Sequence, residues 1–262
     1  MLDLLRFELF KLTHRMMPRV LLLLAAAAPV AAYLLLGTTA KEGTSELNDL
    51  RIVHVHDNGM FIVYQLGMIA TVTLAASTIA TEFGWGTIRT VLPRTAGRSA
   101  FLTGKLISLG LFVGVAVVLG FVAALLGSVL ITEMRNLDSS LGPHFVGNSL
   151  EAVLITAYVV VPYAALAFVV ALWSRSSAAG IAIPIVVFYV EVLLTPLFTS
   201  TAALDWLPQA LIYNNITALL DSNTILSKED LPGRWQAAGV LAAYVTAFVS
   251  LTYGRFLTRD AA

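Results

Sequence analysis

Cysteine is absent from the 262 residues, which excludes disulfide scaffolds, thiolate metal sites and cysteine nucleophiles together. Charge is scarce: Asp, Glu, Lys and Arg make up 12% of the chain, against roughly 25% in an ordinary soluble domain. Neither sign is in excess, with 16 basic and 16 acidic residues, so nucleic acid is not an expected partner. A phosphate-cradling G-x-x-x-x-G-K-[ST] run is also missing. The nearest approach, Thr103-Gly104-Lys105, continues into Leu106 and has no upstream glycine. Energy for any work must therefore come from another chain or from an ion gradient. No internal repeat relates residues 1–132 to 133–262, although secondary transporters commonly show one.

What remains is apolar. Hydrophobic residues account for 58% of the chain and the mean hydropathy is +0.84. A soluble domain of this size cannot hide that much apolar surface, so lipid has to be part of the solvent. About 20 apolar residues are needed to cross the hydrocarbon core as a helix. Charge-free stretches of that scale predict an all-α polytopic membrane protein with six transmembrane helices, near 20–36, 60–80, 106–132, 152–174, 176–198 and 235–254, forming a single domain over 1–262. Pro29, Pro162, Pro184 and Pro196 fall in or near these spans, where membrane helices tolerate them, and kinks are expected there.

With six spans both termini share one side. That side carries eleven Lys and Arg residues, including Arg6, Lys11, Arg89, Arg94, Arg98 and Lys105, and the other side carries five. The positive-inside rule then puts both termini in the cytoplasm.

Three segments between the spans carry information. Residues 1–18 place Leu2, Leu5, Leu9, Leu12 and Met16 at helical spacing, with Arg6, Glu8, Lys11 and Arg15 between them. This predicts an amphipathic helix in the headgroup layer, ending where the chain turns inward at Pro18. Residues 82–105 form the most basic loop, in which Trp85, Ile88 and Leu92 mark a short helical turn closed by Pro93. It is either a docking helix for a soluble partner or a basic stop-transfer loop with a Trp anchor. Residues 200–234 are too apolar for a solvated loop and predict one or two short helices dipping into, or capping, the outer membrane face. Asn215-Ile216-Thr217 matches a glycosylation triplet by pattern alone.

Inside the spans, Glu191 is the only acid, and an intramembrane carboxylate is costly enough to mark function by default. It is a candidate for cargo contact, for proton coupling or for a structural hydrogen bond. Tyr64, Thr71 and Thr78 recur seven apart, with Gln65 beside them, and form a polar stripe that either lines a pathway or joins helices. Gly110-x-x-x-Gly114 is a packing motif. His54-Val55-His56-Asp57 has no second cluster to complete a ligand set, so no metal site is assigned.

An acidic residue closing the second span, Glu82, is followed by Gly86-Thr87-Ile88-Arg89, then Leu92-Pro93, Arg98 and Lys105. Together with Glu8-Leu9-Phe10-Lys11-Leu12, Arg15 and the six spans, this pattern resembles the membrane subunits of ABC type-2 exporters. That group includes bacitracin-, lantibiotic- and sodium-efflux permeases and the copper-associated permease of nitrous oxide reductase maturation. The resemblance implies a permease subunit in a bacterial inner membrane that pairs with a second permease, identical or related. Two copies of a cytoplasmic ATPase would then bind ATP and Mg, with no cofactor in this chain. It also implies that residues 1–18 are a connecting helix and that 82–105 carries a coupling helix, assigning coupling to Glu82, Trp85, Gly86, Thr87, Ile88, Arg89 and Leu92. Trp85 departs from the small or charged residue expected there. The cargo implied by the apolar spans is a hydrophobic or amphiphilic drug, peptide or lipid, and the resemblance alone implies that it is moved outward, without active-site chemistry in this chain. The alternative is an ion-coupled secondary transporter centred on Glu191. An intramembrane enzyme is disfavoured, because the four histidines lie outside the spans.

Overall fold

A computed structural model describes residues 2–41, 43–84, 97–199, 206–220 and 232–258. Among these every regular element is helical. The chain opens with α1 (Leu2–His14) and α2 (Met16–Thr39), and a short α3 (Ser45–Asp49) follows on the opposite side of the bundle. A 3-10 turn at Ile52–His54 and a π turn at Val55–Gly59 lead into α4 (Met60–Gly84). Then come α5 (Arg98–Met134), α6 (Phe145–Ser174) and α7 (Ser177–Thr199), the short α8 (Leu207–Ala210) and α9 (Ile212–Leu220), and finally α10 (Arg234–Thr258). Among the described residues six helices are long and apolar enough to cross a membrane, which is the architecture of a multi-pass membrane protein.

The spans outrun the charge-free stretches for a physical reason. Helix α5 has 37 residues, about 55 Å at 1.5 Å per residue, against a hydrocarbon core of about 30 Å. Its first two turns contain Arg98 and Lys105, which a search for uncharged residues cuts away. The prolines inside α2, α6 and α7 leave these helices continuous, so the kinks expected from the sequence do not break them.

Helix α4 is the hub: most of its residues are buried, and it packs against α2, α5, α6 and α7. Small residues allow the closest approaches, as in other membrane bundles. A Cβ on Gly180 would lie 2.7 Å from Cβ of Ala171 and 2.8 Å from Cβ of Ala76, so α4, α6 and α7 meet at one point. Gly120 faces Val63, Gly127 faces the Tyr33 ring and Gly37 faces Ile131, fixing α5 to α4 and α2 in the same way. Gly110 and Gly114, the expected packing pair, have nothing within 4 Å of a built Cβ and lie on an open face of α5.

The two ends of the bundle differ. At the end holding the termini, Phe101 of α5 stacks on Phe256 of α10 with centroids 5.9 Å apart, and the Thr103 and Tyr253 hydroxyls are 2.6 Å apart. At the far end Arg135 donates to the carbonyls of Gly37, Thr38 and Ala40 at 3.0, 3.1 and 3.2 Å. A cation is thereby placed on the unsatisfied C-terminal carbonyls of α2, where the helix dipole favours it.

Candidate functional site

At the terminal end of the bundle the structure assembles four charged side chains from three helices. Lys105 lies seven residues into α5, Glu82 two residues before the end of α4, and Glu8 and Lys11 one turn apart on α1. The Lys105 ammonium donates to Glu82 Oε1 at 3.2 Å, to Glu8 Oε2 at 3.3 Å and to the Thr78 carbonyl at 3.2 Å. The Lys11 ammonium donates to Glu82 Oε1 at 2.8 Å and to Glu8 Oε1 at 3.1 Å. Glu8, Glu82 and Lys105 are all buried, at 4, 2 and 2% exposure.

An isolated buried charge costs several kcal/mol. Here two carboxylates meet two ammonium groups, and all three donors of Lys105 find acceptors. The cluster is neutral as a unit, which is what makes its burial tolerable. Lys11 also lies 4.3 Å from the centre of the Phe7 ring and Lys105 5.0 Å from that of Phe101, geometry that adds cation–π attraction. Gly104 gives α1 room to sit against α5, since a Cβ there would fall 2.9 Å from Leu4 Cδ2.

The α1 helix is thus turned differently from the sequence expectation. The face directed at the bundle runs through Leu4, Leu5, Glu8, Lys11 and Leu12, while Arg6, Phe7, Phe10 and Thr13 are exposed. Burying charge on that face is possible only because partners arrive from α4 and α5. The break before α2 falls at Arg15 rather than at Pro18, which sits inside the first turn of α2, where proline is accepted.

A second polar constellation lies toward the far end. Glu191 of α7 accepts the Tyr213 amide at 2.7 Å, the Ile212 amide at 3.3 Å and the Tyr163 hydroxyl at 2.8 Å. The two amides open α9, so the carboxylate caps the N-terminus of that helix, where unsatisfied N–H groups and the dipole both favour an anion. Thr195 and Asn214 extend the cap, with the Thr195 hydroxyl 3.2 Å from Asn214 Oδ1 and the Asn214 amide donating to the Pro208 carbonyl at 2.9 Å. Phe188 packs edge-on against both Tyr163 and Tyr213. Asn215 is buried and donates to the Gln209 and Leu211 carbonyls at 2.8 and 2.7 Å. The glycosylation triplet is therefore folded into α9 and closed to a glycan.

Comparison with known proteins adds one decisive match. The model of a family described as a protein of unknown function, DUF2705, matches residues 15–262. The chain belongs to the DUF2705 family. An uncharacterized protein of Bacillus subtilis strain 168, YhcI, is 25% identical over 250 residues, covering 85% of this chain and 78% of the relative.

Of the coupling residues inferred for this DUF2705 protein, Glu82 falls in the charge cluster. Trp85, Gly86, Thr87, Ile88, Arg89 and Leu92 lie outside the described residues. In the polar stripe, Tyr64 and Thr71 are fully buried. The Thr71 hydroxyl donates to the Gly67 carbonyl at 2.8 Å and that of Thr78 to the Ala75 carbonyl at 2.9 Å, each within α4 itself. Gln65, next to Tyr64, is half-buried. Of the stripe, Thr78 reaches the cluster through its carbonyl, which accepts from Lys105 at 3.2 Å; Glu8, Lys11 and Lys105 are the members of the cluster that the sequence did not single out as a site. Its one local hint was the Glu8/Lys11 pair at i, i+3 on a helix.

Proposed function

We propose that this chain is the membrane subunit of an ATP-driven exporter in a bacterial inner membrane, paired with a second permease copy or a related chain. Two copies of a cytoplasmic ATPase supply the energy by binding ATP and Mg. Residues 1–18 act as its connecting helix, 82–105 as its coupling segment and 200–234 as its outer cap. The cargo is hydrophobic or amphiphilic.

The observation that carries this reading is the buried cluster of Glu8, Lys11, Glu82 and Lys105. Segment 85–96 joins the end of α4 to α5, and the cluster locks both of its flanks to α1. A force applied to that segment would reach α1, α4 and α5 together. The same end of the bundle carries the excess of Lys and Arg that marks a cytoplasmic face. Glu191, the centre of the ion-coupled alternative, is engaged by two backbone amides and a hydroxyl, which supports a structural role for it.

Co-expression with the product of the neighbouring gene, followed by purification, tests the reading. An ATP-hydrolysing complex that Arg89→Glu dissociates without unfolding the spans is expected. A chain that purifies alone and carries proton-coupled flux in liposomes would overturn it in favour of a secondary transporter.

A further inference from the structure

Two cavities at the end of the bundle opposite the termini share a wall. One is an apolar slot of about 590 Å³ between α6 and α10, lined by Leu150, Leu154, Tyr158, Leu219, Trp235 and Ala238. The other is a polar chamber of about 410 Å³ that reaches His56, Asp57 and Asn148. Glu151 and Arg234 line both cavities and are ion-paired to each other. Each volume is within the roughly 300–1,000 Å³ of small-molecule sites.

The two chemistries meet at one boundary, as the two halves of a lipid do. Leu150 and Leu154 are exposed at 61 and 63% and Trp235 at 91%, so the slot opens sideways, where a bilayer would supply acyl chains. Its floor is fixed by the Tyr158 hydroxyl, which donates to the Ala238 carbonyl at 2.6 Å. Among the described residues lining the chamber, Glu151 and Arg234 cancel, which leaves the Asp57 carboxylate as the excess charge, with its side chain 54% exposed. His56 Nε2 lies 3.5 Å from Asp57 Oδ2, and His56 Nδ1 is buried without a hydrogen-bond partner. A headgroup offering an ammonium to Asp57 and Glu151 and a phosphate to Arg234 satisfies this set. An anionic headgroup meets the surplus carboxylate instead.

We propose that this double cavity is a binding site for a zwitterionic amino-phospholipid, with an acyl chain in the slot, the phosphate on Arg234 and the ammonium on Asp57 and Glu151. The site is independent of the permease reading and stands whether the lipid is cargo or a resident.

The test uses the full chain in nanodiscs of equal phosphatidylethanolamine and phosphatidylglycerol, with retained lipid counted by native mass spectrometry and located by a phosphatidylethanolamine bearing a photoreactive acyl chain. Wild type is expected to retain phosphatidylethanolamine over phosphatidylglycerol by roughly fivefold, the scale of one half-exposed ion pair, and to be labelled on α6 and α10. Asp57→Asn combined with Glu151→Gln leaves Arg234 as the net charge and should reverse the preference toward phosphatidylglycerol while labelling persists. Leu154→Trp, at an exposed position where folding is undisturbed, should remove the labelling. Equal retention of both lipids by wild type, a preference unchanged in the double variant, or labelling that maps elsewhere would overturn the proposal. So would a Leu150→Cys crosslink between two copies that excludes lipid, since the slot would then seat a second chain.

Discussion

Lys105 and Glu82 stand 23 residues apart in sequence with ammonium and carboxylate oxygen 3.2 Å apart, at opposite flanks of the segment inferred to meet an ATPase. Both side chains are almost wholly buried, so the strength of their attraction depends on the other two charges staying in place. Breaking a buried ionic set from one side costs about 3–5 kcal/mol, because the partner is left uncompensated. Lys105→Met is expected to destabilise the protein on that scale. Lys105→Met combined with Glu82→Gln leaves the neutral Glu8–Lys11 pair and should cost less than Lys105→Met alone. Equilibrium unfolding in mixed micelles measures both, and a double variant that sums its single effects would show that the four groups are not coupled.

Glu191 works through the start of α9. Glu191→Ala removes an acceptor for two amides and should expose them to exchange, with loss of hydrogen-exchange protection across residues 212–220. Glu191→Gln keeps one acceptor oxygen and loses the charge, so intermediate protection is expected. Tyr163→Phe deletes a single hydrogen bond to a charged group, worth about 1.5–3 kcal/mol. If transport is lost in Glu191→Gln while protection of α9 is unchanged, the carboxylate has a duty beyond capping.

Gly180 and Gly110 should respond oppositely to alanine. In Gly180→Ala the new methyl meets Ala171 and Ala76 at under 3 Å, and overpacking of this kind costs about 1–3 kcal/mol. In Gly110→Ala nothing is met, and helix propensity improves by about 1 kcal/mol. Thermal unfolding of the two variants side by side checks the packing of α4, α6 and α7 directly.

Acid should loosen the far end before the bundle. The Ser140 hydroxyl and amide hold the Asp138 carboxyl below its usual 3.8, with help from Arg51. A carboxylate whose folded pKa is depressed contributes stability above its unfolded value, and loses that contribution as pH falls through the folded one. Asp138 therefore adds stability above about pH 4 that disappears on further acidification. Ser140→Ala should shrink this pH dependence, as read by exchange rates in residues 132–140 between about pH 2 and 5.

The spans were legible because lipid imposes one rule on every residue, and an apolar run of sufficient length has few alternatives. Their ends were not legible. A charged residue looks like a boundary until its partners are known, and those of Lys105 come from α4 and from α1, the latter 97 residues away. The orientation of α1 failed for the same reason: Glu8 and Lys11 look like an outward face unless α4 and α5 are already in place. Glu191 could be singled out as the lone acid among apolar residues, but two of its three partners are main-chain amides, which every sequence contains and none advertises. Of the segment 200–234, residues 200–205 and 221–231 lie outside the described residues, and in the described part α9 buries Ile212, Ile216 and Leu219.

The glycine crossings bear on mechanics. Gly180 stitches three helices at a single point, and Gly120, Gly127 and Gly37 stitch α5 to the same frame. Interiors packed this closely rearrange between discrete arrangements rather than bending by degrees. The single chain is thus built as a stiff lever, with little give between its own helices. Under the proposed permease reading, an opening that passes cargo is expected at the joint between two such levers, and the open glycine face of α5, at Gly110 and Gly114, is one place to look for its hinge.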